Sequence, residues 1–347
     1  MTTKNHNRRR FLSNAMMTIA AGEFAMMGFS ETKTGKIGIG GENQVKKRTN
    51  NSFETIKQVN AGVLNVGYAE AGGDNLPVVI LLHGWPYDIH SFVDVSPLLV
   101  SAGYRVIIPY QRGYGTTRFL SGETIRNGQQ STFAMDTIAL MDALGIKKAT
   151  IAGFDWGART ACIMAALWPE RCNAIVSVSG YLIINREANA LPLPPKGELG
   201  WWYQYYFATE RGRAGYDKYR YDFAKLIWTI ASPKWHFDDD TFNRSAESFN
   251  NRDHVEIVIH NYRWRLSLAN GEAQYDDLEI KLAKGPVITV PAITIASDFD
   301  GAAVDGKGYA KKFSGKYSHQ ILKDIGHNVP QEDPQAFAQA IIEVDRF

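Results

Sequence analysis

Cysteine is scarce in this chain. Cys162 and Cys172 are the only two among 347 residues. That is too few for a disulfide framework or a cysteine-based structural zinc site. Both are expected to remain free thiols packed in the fold. An excess of charge of one sign is also lacking. The 38 Lys and Arg nearly balance the 36 Asp and Glu, giving a formal net charge of +2. A nucleic-acid binder would carry a strong basic excess, so that class is excluded. No apolar stretch is long and unbroken enough for stable membrane insertion; the one near the N-terminus is interrupted by Asn14 and Glu23. Internal repeats and low-complexity tracts are absent. What is present is 45% hydrophobic, 12% aromatic and 21% charged residues. This composition suits a globular chain with a sizeable core, not a disordered or collagenous one. The length fits one large domain with an insertion, or two ordinary domains.

The first thirty residues read as an address. Lys4, then Arg8-Arg9-Arg10-Phe11-Leu12-Ser13, precede a mostly apolar run to Phe29. A paired arginine followed by x-Phe-Leu resembles a bacterial twin-arginine export signal, which carries folded proteins across the inner membrane. The expectation is a signal over residues 1–30, a periplasmic destination, and a linker rich in Gly, Lys, Asn and Thr over residues 31–52.

From there strands and helices alternate. Residues 56–70 form short alternating stretches split at Ala61-Gly62, like an edge hairpin. The continuous apolar run Val78–Leu82 predicts a strand buried on both faces, and Ala149–Ala152 reads as another strand. Further strands are expected at Tyr104–Ile108, Ala174–Val178, Ala292–Ala296 and His319–Leu322. Helices are expected at Ser91–Ser101, Ser131–Leu144, Ala158–Trp168, near Tyr309, and from Pro334 onward. Repeated strand–helix units imply an α/β fold, a mostly parallel sheet flanked by helices. Between Tyr181 and about Asn270 the strands stop. From Trp201 to Trp264, 17 of 64 residues are aromatic, about twice the average of the chain. This predicts an inserted helical cap over residues 181–270, with the sheet domain formed by residues 53–180 and 271–347.

The strand at Ala149–Ala152 runs into Gly153-Phe154-Asp155-Trp156-Gly157 and then a helix. Glycines flank the central residue because the turn is tight, and its side chain is exposed at the carboxyl edge of the sheet. This glycine-flanked nucleophile position resembles the elbow of the α/β-hydrolase fold family. The central residue is Asp155, not Ser or Cys, and that decides the chemistry. A carboxylate attacking an ester carbonyl would form a high-energy anhydride. Attack on a saturated carbon gives an alkyl ester that water can hydrolyse. The substrate should therefore be an epoxide or carry a carbon–halogen bond.

The resemblance implies the remaining site residues. After the strand Val79–Leu82 comes His83-Gly84-Trp85-Pro86, the turn where α/β-hydrolases place one oxyanion donor, here the backbone N–H of Trp85. The N–H of Trp156 is the other, and its side chain is a candidate substrate contact. The His83 side chain reads as a residue holding the loop. Arg112-Gly113-Tyr114-Gly115 matches a structural turn of the same family, with Tyr110 where the family usually has Asp. Gly326-His327 follows the last strand, where the family puts its base. The acid that orients it follows Ala292–Ala296. Asp298 and Asp300 both qualify, and the usual count from Pro291 favours Asp300.

Two lid tyrosines distinguish epoxide hydrolases within this branch, because an opening epoxide needs a proton donor and a departing halide does not. Tyr203-Gln204-Tyr205-Tyr206-Phe207 and Asn261-Tyr262-Arg263 resemble the two stretches, making Tyr203 and Tyr262 the expected acids. Fluoroacetate dehalogenases have Arg directly after the nucleophile, where this chain has Trp156; only their second arginine has a counterpart, Arg159. Arg159 is thus a substrate-binding candidate, although pairing with a nearby acid is the expected reading. Haloalkane dehalogenases have a halide-binding residue where Trp85 stands. The resemblance therefore implies an epoxide hydrolase acting on a small apolar epoxide, with no metal or organic cofactor. A dehalogenase with the same Asp155, Asp300 and His327, or a ligand-binding relative without turnover, are the alternatives. A homo-oligomer is compatible with all of them.

Overall fold

The computed structural model describes Phe53 and residues 55–347. The export signal and linker expected over residues 1–52 lie outside the described residues. Nine strands form one sheet: β1 (Ile56–Ala61), β2 (Leu64–Ala71), β3 (Val78–Leu82), β4 (Arg105–Pro109), β5 (Arg118–Phe119), β6 (Ala149–Gly153), β7 (Cys172–Val178), β8 (Ala292–Ala296) and β9 (Tyr317–Ile321). Their order is β1-β2-β4-β3-β6-β7-β8-β9, with β5 added beside β2. The first two pairings are antiparallel, as the hairpin pattern predicts. From β4 to β9 every neighbour is parallel. All five residues of β6 and all five of β8 are buried, Thr150 and Thr294 included, as expected of strands covered on both faces.

Four helices cover the sheet: α1 (Val95–Ser101), α2 (Gln130–Ala143), α3 (Trp156–Leu167) and, at the chain's end, a helix over Pro334–Val344. α2 packs on α3, and α1 packs on the terminal helix. Cys162 on α3 and Cys172 on β7 are both buried and free, as expected. Between β7 and β8 the chain is helical: α4 (Arg186–Asn189), α5 (Pro195–Gly200), α6 (Trp202–Ala208), α7 (Glu210–Ala231), α8 (Asp239–Ala246), α9 (His254–Arg265) and α10 (Asp276–Ala283). Two short elements close the list, α11 (Val329–Glu332) and α12 (Pro334–Val344). Among the described residues no helix is long and apolar enough to cross a membrane.

Two expectations change. The helix expected near Tyr309 is absent: only 3-10 turns at Asp298–Ala303 and Ala310–Lys312 join β8 to β9. Gly301 and Gly306 there take positive φ of 50° and 65°, which a continuing helix cannot accommodate. The helix expected from Ser91 is split into a 3-10 turn at Ile89–Phe92 and α1.

The loop after β4 is pinned by one buried ion pair. Arg112, 1% exposed, sends Nε and Nη2 to the two carboxylate oxygens of Asp136 on α2, at 2.6 and 2.7 Å. Its Nη1 donates to the Asn127 carbonyl at 2.6 Å. Tyr110, standing where the family usually has Asp, is buried and fills the space beside Gly115 with its ring. Removing one partner of such a pair leaves an uncompensated buried charge. Asp136→Ala is therefore expected to destabilise the protein by roughly 3–5 kcal/mol, read as a lower urea midpoint. An unchanged midpoint would show that water already compensates Arg112.

Candidate active site

The carboxyl ends of four strands converge on one point. β6 delivers Asp155, β3 delivers Trp85, the turn after β8 delivers Asp300, and the loop after β9 delivers His327. Asp155 has φ 52° and ψ −121°, a conformation that costs a non-glycine residue about 1–3 kcal/mol. The neighbouring glycines make the turn possible. A Cβ on Gly157 would lie 1.9 Å from the Leu82 carbonyl oxygen. A Cβ on Gly84 would lie 2.3 Å from Asp155 Oδ1. Backbone and carboxylate thus approach as closely as glycine permits.

Trp85 N–H donates to Asp155 Oδ1 at 2.8 Å, and His327 Nε2 lies 3.7 Å from Oδ2. Burial pushes the Asp155 carboxyl up, but the His327 ring, the Arg159 guanidinium and the Trp85 N–H together outweigh it and hold it below the ordinary value. The His327 ring packs on Phe299, with centroids 4.2 Å apart. Its backbone N–H is held by the Ala231 carbonyl at 3.1 Å and the Ser232 hydroxyl at 3.0 Å. Ser232 in turn donates to Glu332, whose carboxylate also accepts from the N–H groups of Gly326 and Asn328. One buried acid therefore clamps the histidine loop to the end of α7.

The two candidate acids separate clearly. Asp298 turns outward and pairs with Lys234 at 2.8 Å. Asp300 is buried at 3% exposure, its Oδ2 accepting from Ser297 N–H at 2.8 Å. Burial pushes its pKa up, opposed by the Ser179 hydroxyl, the Ser297 N–H and His327. Its Oδ1 and His327 Nδ1 are both buried and without a hydrogen-bond partner. The direct Asp300–His327 hydrogen bond implied by the resemblance is thus not formed in this structure; the Ser297 N–H engages Oδ2 and leaves Oδ1 free. The unpaired acceptor and donor remain chemically complementary.

A cavity of about 100 Å³ opens over Asp155 and His327. Tyr203 on α6 lines it, with Leu182, Ile183, Ile227, Ile230 and Trp201. Tyr262 on α9 is 2% exposed, its ring edge-on to Tyr203 at 5.3 Å and to Trp85 at 5.2 Å. Burial, then the Asp155 charge, raise the Tyr203 hydroxyl; burial, then Tyr203 and Asp155, raise that of Tyr262. Both stay protonated as donors at neutral pH.

Two sequence expectations fail here. The Trp156 side chain does not line the cavity. It is 1% exposed and packs against Phe133 and Tyr262 at 5.2 and 5.9 Å, so only its main chain faces the nucleophile. Arg159 lines the cavity but holds no acid; its Nε is buried and unpartnered. Sequence reasoning missed Arg265, which also lines the cavity. The signal was there, since Arg265 lies three residues after Tyr262 and so on the same face of α9. His83 behaves as expected: buried, its Nε2 accepting from Gln111 N–H at 3.2 Å, with burial lowering its pKa to about 4.

The matching family model, described as the alpha/beta hydrolase fold, covers residues 77–220. A solved structure of a "putative epoxide hydrolase" from Klebsiella pneumoniae is 56% identical, with a TM-score of 0.83, over 85% of this chain and 98% of that one. The chain belongs to the epoxide hydrolase-like α/β-hydrolases. Epoxide hydrolase B of Mycobacterium tuberculosis is 34% identical over 150 residues, 39% of this chain and 41% of that protein. The chain thus matches about two fifths of the length of that curated relative. A Pseudomonas aeruginosa structure at 18% identity and TM-score 0.68, covering 83% of this chain and 94% of that one, shares the fold.

In this α/β-hydrolase the cap is wired to the loop after β3 whose N–H holds the nucleophile. Trp85 Nε1–H donates to Tyr216 on α7 at 2.8 Å, the Tyr216 hydroxyl donates to His254 Nε2 at 2.9 Å, and His254 Nδ1–H donates to the Gly113 carbonyl at 2.9 Å. Burial lowers His254 to about 3, so it remains the neutral acceptor this chain requires. Tyr216→Phe strands a buried indole N–H and a buried imidazole nitrogen. It is expected to cost about 1–3 kcal/mol in urea unfolding; no loss would mean that a water replaces the hydroxyl.

Proposed function

We propose that this protein hydrolyses a small epoxide to a vicinal diol through a covalent Asp155 ester. The observation that carries the reading is an aspartate on the strained elbow, with its Oδ1 on the Trp85 N–H, His327 beside it, Tyr203 in the cavity wall and the buried Tyr262 edge-on to Tyr203. The Klebsiella pneumoniae structure at 56% identity and the Mycobacterium tuberculosis relative bear the epoxide hydrolase name, and their resemblance supports the same activity.

The steps follow from the geometry. Trp85 N–H occupies Oδ1, leaving Oδ2 to attack a ring carbon. The ring C–O bond breaks as a proton passes to the oxygen from Tyr203 or Tyr262, and a hydroxyalkyl ester forms. His327 Nε2 then takes a proton from water, and the hydroxide adds to the ester carbonyl carbon. The developing oxyanion is held by the N–H groups of Trp85 and Trp156. Collapse frees the diol and the Asp155 carboxylate, and the proton on His327 returns to the tyrosinate. Asp300 supports the imidazolium. The Arg8-Arg9 segment supports export to the periplasm as a folded enzyme.

His327→Gln should stop the second step alone. Incubation with styrene oxide should then add the mass of one substrate per chain, while Asp155→Ala gains nothing. Absence of the adduct would count against the two-step scheme. Diol and bromide measured from styrene oxide and 1-bromobutane decide against the dehalogenase: diol without bromide is expected, and bromide alone would transfer the function. With Asp155 below the ordinary carboxylate range and both tyrosines above the ordinary value near 10, neither should impose an alkaline decline on kcat below about pH 10. Activity that survives loss of both hydroxyls in Tyr203→Phe/Tyr262→Phe would remove them as acids.

A further inference from the structure

We propose that the cavity selects an anionic epoxide, and that Arg159 and Arg265 together bind a carboxylate on it. The identity of the reacting group rests on the epoxide hydrolase reading above; the anion site does not. Arg159 stands on α3, one helical turn beyond Asp155, and Arg265 ends α9. They come from core and cap, yet both face the same cavity.

Among the described residues neither guanidinium has a carboxylate partner, and each keeps its Nε unpaired. Arg159 is 6% exposed, and the Nε of each is buried with no hydrogen-bond partner. Among the described residues neither forms an ion pair, whereas Arg112, Arg126 and Arg171 each hold a carboxylate. Arg265 lays its face over the Trp201 ring at 5.3 Å, which leaves its N–H edge for a ligand. Burial, then the nearby Arg265 charge, depress Arg159 to about 10, with Asp155 opposing. It stays charged at neutral pH and is electrostatically frustrated. Unpaired buried cations are costly and persist where something arrives to pair them.

Charge arithmetic names the occupant. Among the described residues Asp155 is the only acidic one in the cavity wall, against Arg159 and Arg265. The wall thus carries a surplus of positive charge, which an anionic ligand offsets. A planar carboxylate also matches a guanidinium fork. The apolar wall of Leu182, Ile183, Ile227 and Ile230 accepts the hydrocarbon part. The small apolar epoxide expected from the sequence thus becomes a small epoxy acid.

Two measurements on the folded protein separate this inference from the reaction. The first is binding by calorimetry of cyclopropanecarboxylate and cyclopropanecarboxamide, unreactive ring analogues that differ in charge. The carboxylate should bind about tenfold or more tightly, and Arg159→Met or Arg265→Gln should erase that preference. Arg159→Lys, which keeps charge without the fork, should retain part of it. The second is kcat/KM for glycidate against glycidamide, with a ratio of about tenfold or more that falls in either arginine variant. Selective carboxylate binding without turnover of either epoxide would support the anion site and sink the proposed activity. Equal binding of acid and amide, with equal turnover, would overturn the anion site and leave the activity standing. The half-exposed Arg265→Gln keeps the test decisive where the deeply buried Arg159→Met fails to fold.

Discussion

Everything at this site depends on the backbone of Asp155 being held at φ 52°. That conformation aims a carboxylate out of the sheet edge, where its Oδ1 meets the Trp85 N–H at 2.8 Å. Holding it requires packing that has no alternative. Gly157 admits the Leu82 carbonyl, Gly84 admits the carboxylate itself, and β3 and β6 are paired in parallel register from Val79 to Leu82. The strain is stabilised by the surrounding buried strands and not by the turn alone.

The cap does more than roof this point. Polar links join it to the core at the loops that carry the chemistry. The Trp85–Tyr216–His254–Gly113 chain fixes the loop of the oxyanion donor. Trp228 Nε1–H donates to the Pro86 carbonyl at 2.7 Å in the same loop. Ser232 and Glu332 fix the loop of His327. The aromatic excess of the cap supplies the low-dielectric packing around these links, and in such surroundings an unmade hydrogen bond is expensive. The cap helices α7 and α9 are therefore part of the positioning of the core's catalytic loops.

This division explains what was legible in the sequence. The strand Val78–Leu82 and the helix starting at Pro334 could be read directly, because an unbroken apolar run and a helix-starting proline are local signals. The elbow was legible for the same reason: glycine, nucleophile and glycine act within five residues. Choosing Asp300 over Asp298 needed the fold, since only the approach of Lys234 shows that Asp298 points to the surface. The helix expected near Tyr309 failed because glycines at positive φ broke it into turns. Trp156 reads the same whether its indole lines a cavity or packs on Phe133. The pairing of Arg159 with Arg265 was invisible because it brings together a core helix and a cap helix far apart along the chain.

The two arginines also bear on the nucleophile. Arg159 is among the groups that hold Asp155 below the ordinary carboxylate range. A carboxylate held that low is reliably ionised but correspondingly weak as a base and nucleophile. A substrate that brings its own anion to Arg159 would withdraw part of that stabilisation as it binds. The Asp155 carboxylate would then become more basic just when a ring carbon is in reach, while the Trp85 N–H keeps Oδ1 in place. A neutral epoxide would leave Arg159 facing Asp155 and the nucleophile restrained. The same guanidinium would thus discriminate twice, once in binding and once in the reactivity of the group that attacks.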